Sequence, residues 1–141
     1  MEKDPLVEVT DLDRHFPELK KDVKEALKKA LIYLEKEDKK LEVSLLSKGA
    51  MKKVNSKFRG KDEATNVLSF EEPDQIPTAP KKRERLGEIY ICPEVIEEEG
   101  AEPVYLTIHG LLHLLGFSHK EKEDAKRMEE VEKEIMQKIG N

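Results

Sequence analysis

Three of the chain's four histidines fall within one short stretch, HGLLHLLGFSH, from His109 to His119. On a helix, side chains four residues apart lie on the same face, one turn from each other. His109 and His113 can therefore aim two imidazoles at a single point. Gly116 ends that helix in the left-handed conformation a glycine adopts at little cost, and the chain can double back to bring His119 to the third side. Three neutral nitrogens at about 2.0–2.1 Å hold a divalent cation and leave a fourth tetrahedral corner open for water, as in catalytic zinc sites. Burying three imidazoles with no shared partner costs free energy that a metal offsets. The expected cofactor is one Zn2+ per chain, with nickel or another divalent transition metal also suited to imidazole. His15 stands alone ahead of a helix and is given no role.

The elements that must position these rings can be read from periodicity. LVEVT (6–10) reads as a first strand. Pro17 suits the first turn of a helix, and Leu19, Val23, Ala26, Leu27, Ala30, Leu31 and Leu34 form its apolar stripe. LEVSLLS (41–47), TNVLSF (65–70) and LGEIYIC (86–92) read as strands, the last stopped by Pro93. Residues 49–58 read as a short basic helix, and 71–85, with three prolines and the run KKRER, as a surface loop. Pro103 opens the histidine helix. A last helix is expected with Ser118 as N-cap and Glu121 completing a capping box, its stripe being Ala125, Met128, Val131, Ile135 and Ile139. Four strands alternating with helices predict one α+β domain over residues 1–141: a four-stranded mixed sheet packed with helices, in which the first strand, long helix and second strand make a right-handed crossover.

Composition limits the partners. Of the 141 residues 40% are charged, with a net charge of −5, so the molecule as a whole is not a basic nucleic-acid binder. Between Lys48 and Lys61, however, lie Lys48, Lys52, Lys53, Lys57, Arg59 and Lys61 and no acid at all. The abundance of Glu and Lys with few Asn and Gln resembles the surface of hyperthermophile proteins. No apolar run is long enough to cross a membrane, the start MEKDPLVEV lacks a signal-peptide pattern, and the single Cys92 excludes an internal disulfide framework. A cytoplasmic protein with no membrane and no disulfide-linked partner is expected. Cys92 reads as a buried small hydrophobe.

The spacing H-x-x-x-H-x-x-G-x-x-H matches that of the metzincin metalloproteases, making the histidine helix zincin-like, except that Gly110 replaces their general-base glutamate. A protease-like metal cage is thus expected to serve another chemistry. HGLLHLLGFSH closely resembles the H-G-x-L-H-L-x-G-[YF]-D-H signature of the YbeY family of bacterial endoribonucleases. NSKFRGKDEATNVLSF (55–70) and LGEIYIC (86–92) are similar to two further family segments, in the same order. Asn66 and Ser118 stand where that family has aspartates. The resemblance implies a small α+β domain, metal ligation by His109, His113 and His119, and an active-site role for Arg59. It also implies single-strand-type endoribonuclease action on RNA in small-subunit rRNA maturation and ribosome quality control, with pre-rRNA and the small ribosomal subunit and its associated proteins as partners.

A mechanism follows in which metal-activated water hydrolyses an RNA phosphodiester. Arg59 grips a phosphate at two points, and Lys57, Arg59 and Lys61 bind RNA through its phosphates. With 3 Tyr, 4 Phe and no Trp, extensive base stacking is not expected. Glu88 and Ser118 are candidates for proton transfer. Two other readings are weighed beside this one: a non-catalytic ribosome-assembly factor fastened by its metal, and a peptide or small-molecule hydrolase.

Overall fold

The computed structural model describes residues 4–12, 15–71, 84–118 and 120–140. Four strands, β1 (Leu6–Asp11), β2 (Lys39–Leu45), β3 (Val67–Glu71) and β4 (Glu84–Ile91), form one sheet in the order β1-β2-β4-β3. β1 pairs with β2 and β2 with β4 in parallel, while β3 runs antiparallel to β4 on the edge. The sheet is therefore mixed, as the element pattern requires.

Alternation decides which face is buried. Val7, Val9, Leu41, Val43, Leu45, Ile89 and Ile91 all point to one side. There they meet α1 (Pro17–Tyr33), α4 (Pro103–Leu114) and α5 (Lys122–Ile139) in one core. α4 is the most apolar helix because it is enclosed on nearly every side, touching α1, α5, β3 and β4. The opposite face of the sheet carries a smaller cluster of Leu46, Met51, Leu68 and Cys92 beneath α2 (Lys48–Arg59). Cys92 is fully buried, as expected of a small hydrophobe.

Two expectations about local structure need correction. Pro93 does not merely stop β4; it occupies the first turn of a short helix, α3 (Pro93–Glu98). The last helix does not start with a Ser118 capping box. Its N-cap is Glu121, which makes no side-chain capping bond. The helix start thus falls three positions later than the S-x-x-E spacing suggests. The run KKRER lies mostly outside the described residues, although Arg85 belongs to β4.

Gly87 fixes the edge. Its φ is +147°, and an added Cβ would sit 2.1 Å from the Phe70 carbonyl oxygen. Only glycine lets β3 lie this close to β4 there, and β3 forms a wall of the cleft described next.

Candidate functional site

α4 runs with Glu102 as N-cap, its carboxylate accepting from the Tyr105 N–H at 2.7 Å, and with Pro103 in its first turn. Four residues apart on this helix, His109 and His113 bring their Nε2 atoms to 3.1 Å, with ring centroids 4.6 Å apart. Two nitrogens sharing one cation at about 2.05 Å stand about 2.9 Å apart at a right angle and about 3.3 Å apart at the tetrahedral angle. The observed separation lies between these, so the pair is spaced to share a cation of either geometry. Gly116, with φ +99°, follows α4 in the left-handed conformation anticipated for it. His119 lies outside the described residues, and among those described no group of three His, Cys, Asp or Glu side chains is gathered to hold a metal.

Beneath the pair sits a residue that pattern reading passes over. Glu132 of α5 is only 2% exposed, and its Oε1 lies 3.0 Å from His109 Nδ1. Its Oε2 is buried with no hydrogen-bond partner. The Tyr105 hydroxyl lies toward the same carboxylate. Its interaction with Glu132, ahead of burial, pushes its pKa up to about 12. A carboxylate accepting from Nδ1–H fixes the imidazole tautomer that leaves Nε2 as a lone-pair donor and makes that nitrogen more basic. This donor set, two Nε2 atoms backed by a buried carboxylate, fits a borderline-soft divalent cation. The signal for Glu132 was present in the sequence: an acid interrupting the apolar stripe of α5, four residues after Met128 and three before Ile135.

The two histidines open onto a cleft of about 580 Å³. β3 supplies Val67, Ser69 and Glu71 to its wall, the turn after α4 supplies Gly116, Phe117 and Ser118, and Lys120 and Arg59 lie at its margin. Arg59 arrives from the other side of the edge strand. It ends α2, and Gly60, at φ 70°, caps the helix in the left-handed conformation. The buried Asn55 ties down the segment that follows, its amide donating to the Glu63 carbonyl at 2.9 Å. The Arg59 guanidinium carbon stands 5.8 Å from the centre of the Phe70 ring.

Other predicted positions fall elsewhere. Lys57 and Lys61 are exposed but do not line the cleft; Lys57 borders a separate shallow depression with Lys52 and Lys53. Glu88 is on the sheet face opposite the histidines, held by Arg85 and by the Tyr90 hydroxyl. It is not part of the cleft wall. Ser118 does line the cleft. Asn66 braces the start of β3, where its Oδ1 accepts from the Val67 N–H at 2.6 Å and its amide donates to Glu99 at 3.0 Å. Gly110 packs against the sheet, where an added Cβ would lie 3.5 Å from Ile89 in ordinary contact. His15 is exposed and apart from the site.

A mixed four-stranded sheet backed by three helices, with a histidine pair and an arginine opening on one cleft, defines a small α+β domain with a polar surface cleft. Residues 7–140 match the family model described as Endoribonuclease YbeY. The chain belongs to the YbeY family. It is 38% identical over 114 residues to the Endoribonuclease YbeY of Pseudomonas putida strain F1, covering 74% of this chain and 70% of that one. It is 37% identical over 122 residues to that of Idiomarina loihiensis, covering 78% and 72%. The solution structure of TM1509 from Thermotoga maritima superposes with a TM-score of 0.64 at 29% identity, covering 95% of this chain and 89% of that one. Among the described residues no helix is long and apolar enough to cross a membrane.

Proposed function

We propose that this protein is a metal-dependent endoribonuclease that hydrolyses RNA phosphodiesters during maturation and quality control of small-subunit rRNA in the cytoplasm. The observation that carries the reading is the shared cleft: His109, His113 and Arg59 line one cavity in a chain of the YbeY family. His109, His113 and His119 would hold one zinc-type ion. When bound, such an ion lowers the pKa of its water to about 7 and polarises a phosphoryl oxygen.

The chain's own residues supply the rest. Glu132 holds His109 in the tautomer whose Nε2 is free to donate. Arg59 offers its guanidinium fork to the phosphate and offsets the charge that develops on its oxygens. Glu71 is the carboxylate of the described cleft wall; it accepts the proton released by the attacking water as the P–O bond to the leaving ribose oxygen breaks, and returns it to that oxygen, a role for which the sequence offered Glu88 and Ser118 as candidates. Lys120 at the cleft, and Lys57 and Lys61 beyond it, attract the neighbouring phosphates. The pre-rRNA within the small ribosomal subunit is the natural substrate, and the subunit's proteins the partners that select the cleavage point.

Arg59→Glu tests this reading. The variant is expected to retain its bound metal and lose RNA cleavage by about 100-fold or more. Cleavage at the wild-type rate would remove Arg59 from the mechanism, and absence of cleavage by the wild-type protein on any RNA would overturn the function itself.

A further inference from the structure

Phe58 is a large apolar side chain left 58% exposed, although it has no polar tip to justify contact with water. It lies between Lys57 and Arg59 at the end of the acid-free basic helix. Its ring centre is 5.4 Å from that of Phe70 in a tilted contact, and Phe70 stands 5.7 Å from Tyr90 edge to face, so the exposed ring rests on a short aromatic cluster. The same Phe70 ring underlies the Arg59 guanidinium, 5.8 Å away, and Arg59 lines the histidine cleft. Phe58 is therefore one side chain removed from the cleft, across the edge strand β3.

Resting on the ribonuclease reading, we propose that Phe58 is a stacking platform for one nucleobase of single-stranded RNA, next to the nucleotide whose phosphate Arg59 grips. An unpaired base presents a flat face that an exposed aromatic ring can cover, whereas a base inside a duplex has both faces occupied. The flanking cations suit a polyanion and not an uncharged apolar partner. The Lys57 ammonium lies 5.4 Å from the ring centre; being on an exposed, flexible stem, it can swing to a phosphate as the base arrives. One platform is consistent with the chain's few aromatics and names the side chain by which the cleft would hold an unpaired strand without base-specific hydrogen bonds.

The chain contains no tryptophan, so Phe58→Trp installs a single fluorophore at the platform. Its emission is expected to be quenched saturably by a short single-stranded RNA, and not by inorganic tripolyphosphate or a blunt duplex of equal length. In parallel, Phe58→Leu, which keeps an apolar contact to Phe70 without a π face, is expected to weaken single-stranded RNA binding by about 5- to 30-fold in fluorescence anisotropy. Equal RNA affinity for wild type and Phe58→Leu, with unquenched Trp emission, overturns the platform while leaving the ribonuclease reading intact. Failure of the wild type to bind RNA overturns both. An emission shift that depends on protein concentration alone assigns the ring to a contact between copies and overturns the proposal.

Discussion

Glu132 offers the sharpest perturbation, because the metal-holding and folding roles of one buried carboxylate predict opposite outcomes. The side chain is 2% exposed, its Oε1 is 3.0 Å from His109 Nδ1, and its Oε2 has no partner. Removing a carboxylate that backs a metal-bound histidine costs 10–100-fold in metal affinity, about 1.4–2.7 kcal/mol. Glu132→Gln retains a carbonyl that can accept from Nδ1–H, so its loss is expected near the tenfold end. Glu132→Leu offers no acceptor, frees the imidazole to change tautomer, and is expected near the hundredfold end. Stability of the metal-free protein should behave differently. Leu removes the desolvated Oε2 but also takes an acceptor away from His109 Nδ1–H and the Tyr105 hydroxyl, so the two effects oppose each other and the metal-free melting temperature is expected to shift by only a few degrees. Zinc affinity by competition with a fluorescent chelator, and thermal unfolding of the metal-free proteins, measure the two effects. Zinc affinity of Glu132→Leu within about twofold of the wild type would refute the positioning role. A metal-free melting temperature lower by about 10 °C or more would show that the carboxylate serves the fold instead.

Two further outcomes follow from local geometry. Gly87→Ala puts a methyl 2.1 Å from the Phe70 carbonyl at φ +147°, and is expected to destabilise by about 3 kcal/mol or more and to displace the β3 wall of the cleft; denaturant unfolding within about 0.5 kcal/mol of wild type would contradict that close approach. All three tyrosines have raised pKa values: Tyr33 through its bond to Glu134, Tyr90 to about 12 through burial and Glu88, and Tyr105 to about 12 through Glu132 and burial. The folded chain thus holds phenolic protons that the unfolded chain releases near pH 10, so this stability is complete below about pH 10 and is lost as pH rises toward about 12. A tyrosinate absorbance titration of native protein should lie above that in urea, and coincident curves would refute it.

How much was legible depended on whether a feature is local in the chain. The i, i+4 spacing of His109 and His113 needs only helix geometry, and their Nε2 atoms do meet at 3.1 Å. The strands, long helix and mixed sheet followed from apolar periodicity, which reports burial directly. The role of Glu132 was not legible, although its misplacement was, because its partner is a residue 23 positions away on another helix. Within α5 it reads only as an acid out of place in a stripe. Glu88 and Glu71 show the same limit in the other direction. Alternation along a strand tells which residues share a face, but not which face the histidine helix covers. The Ser118 capping box failed because the S-x-x-E pattern carries no information about how many residues the turn between two packed helices must span. Phe58 was counted among too few aromatics to matter, since a count cannot show which ring is left uncovered beside the cleft.

The central claim is that the imidazoles of His109, His113 and His119 converge on one cation. Metal content of the purified protein, measured by elemental analysis beside circular dichroism for wild type, His113→Ala and His119→Ala, addresses it most directly. About one divalent transition-metal ion per folded wild-type chain, and close to none in either variant with its helical spectrum retained, is the predicted result. A full equivalent of metal in folded His113→Ala or His119→Ala would contradict it.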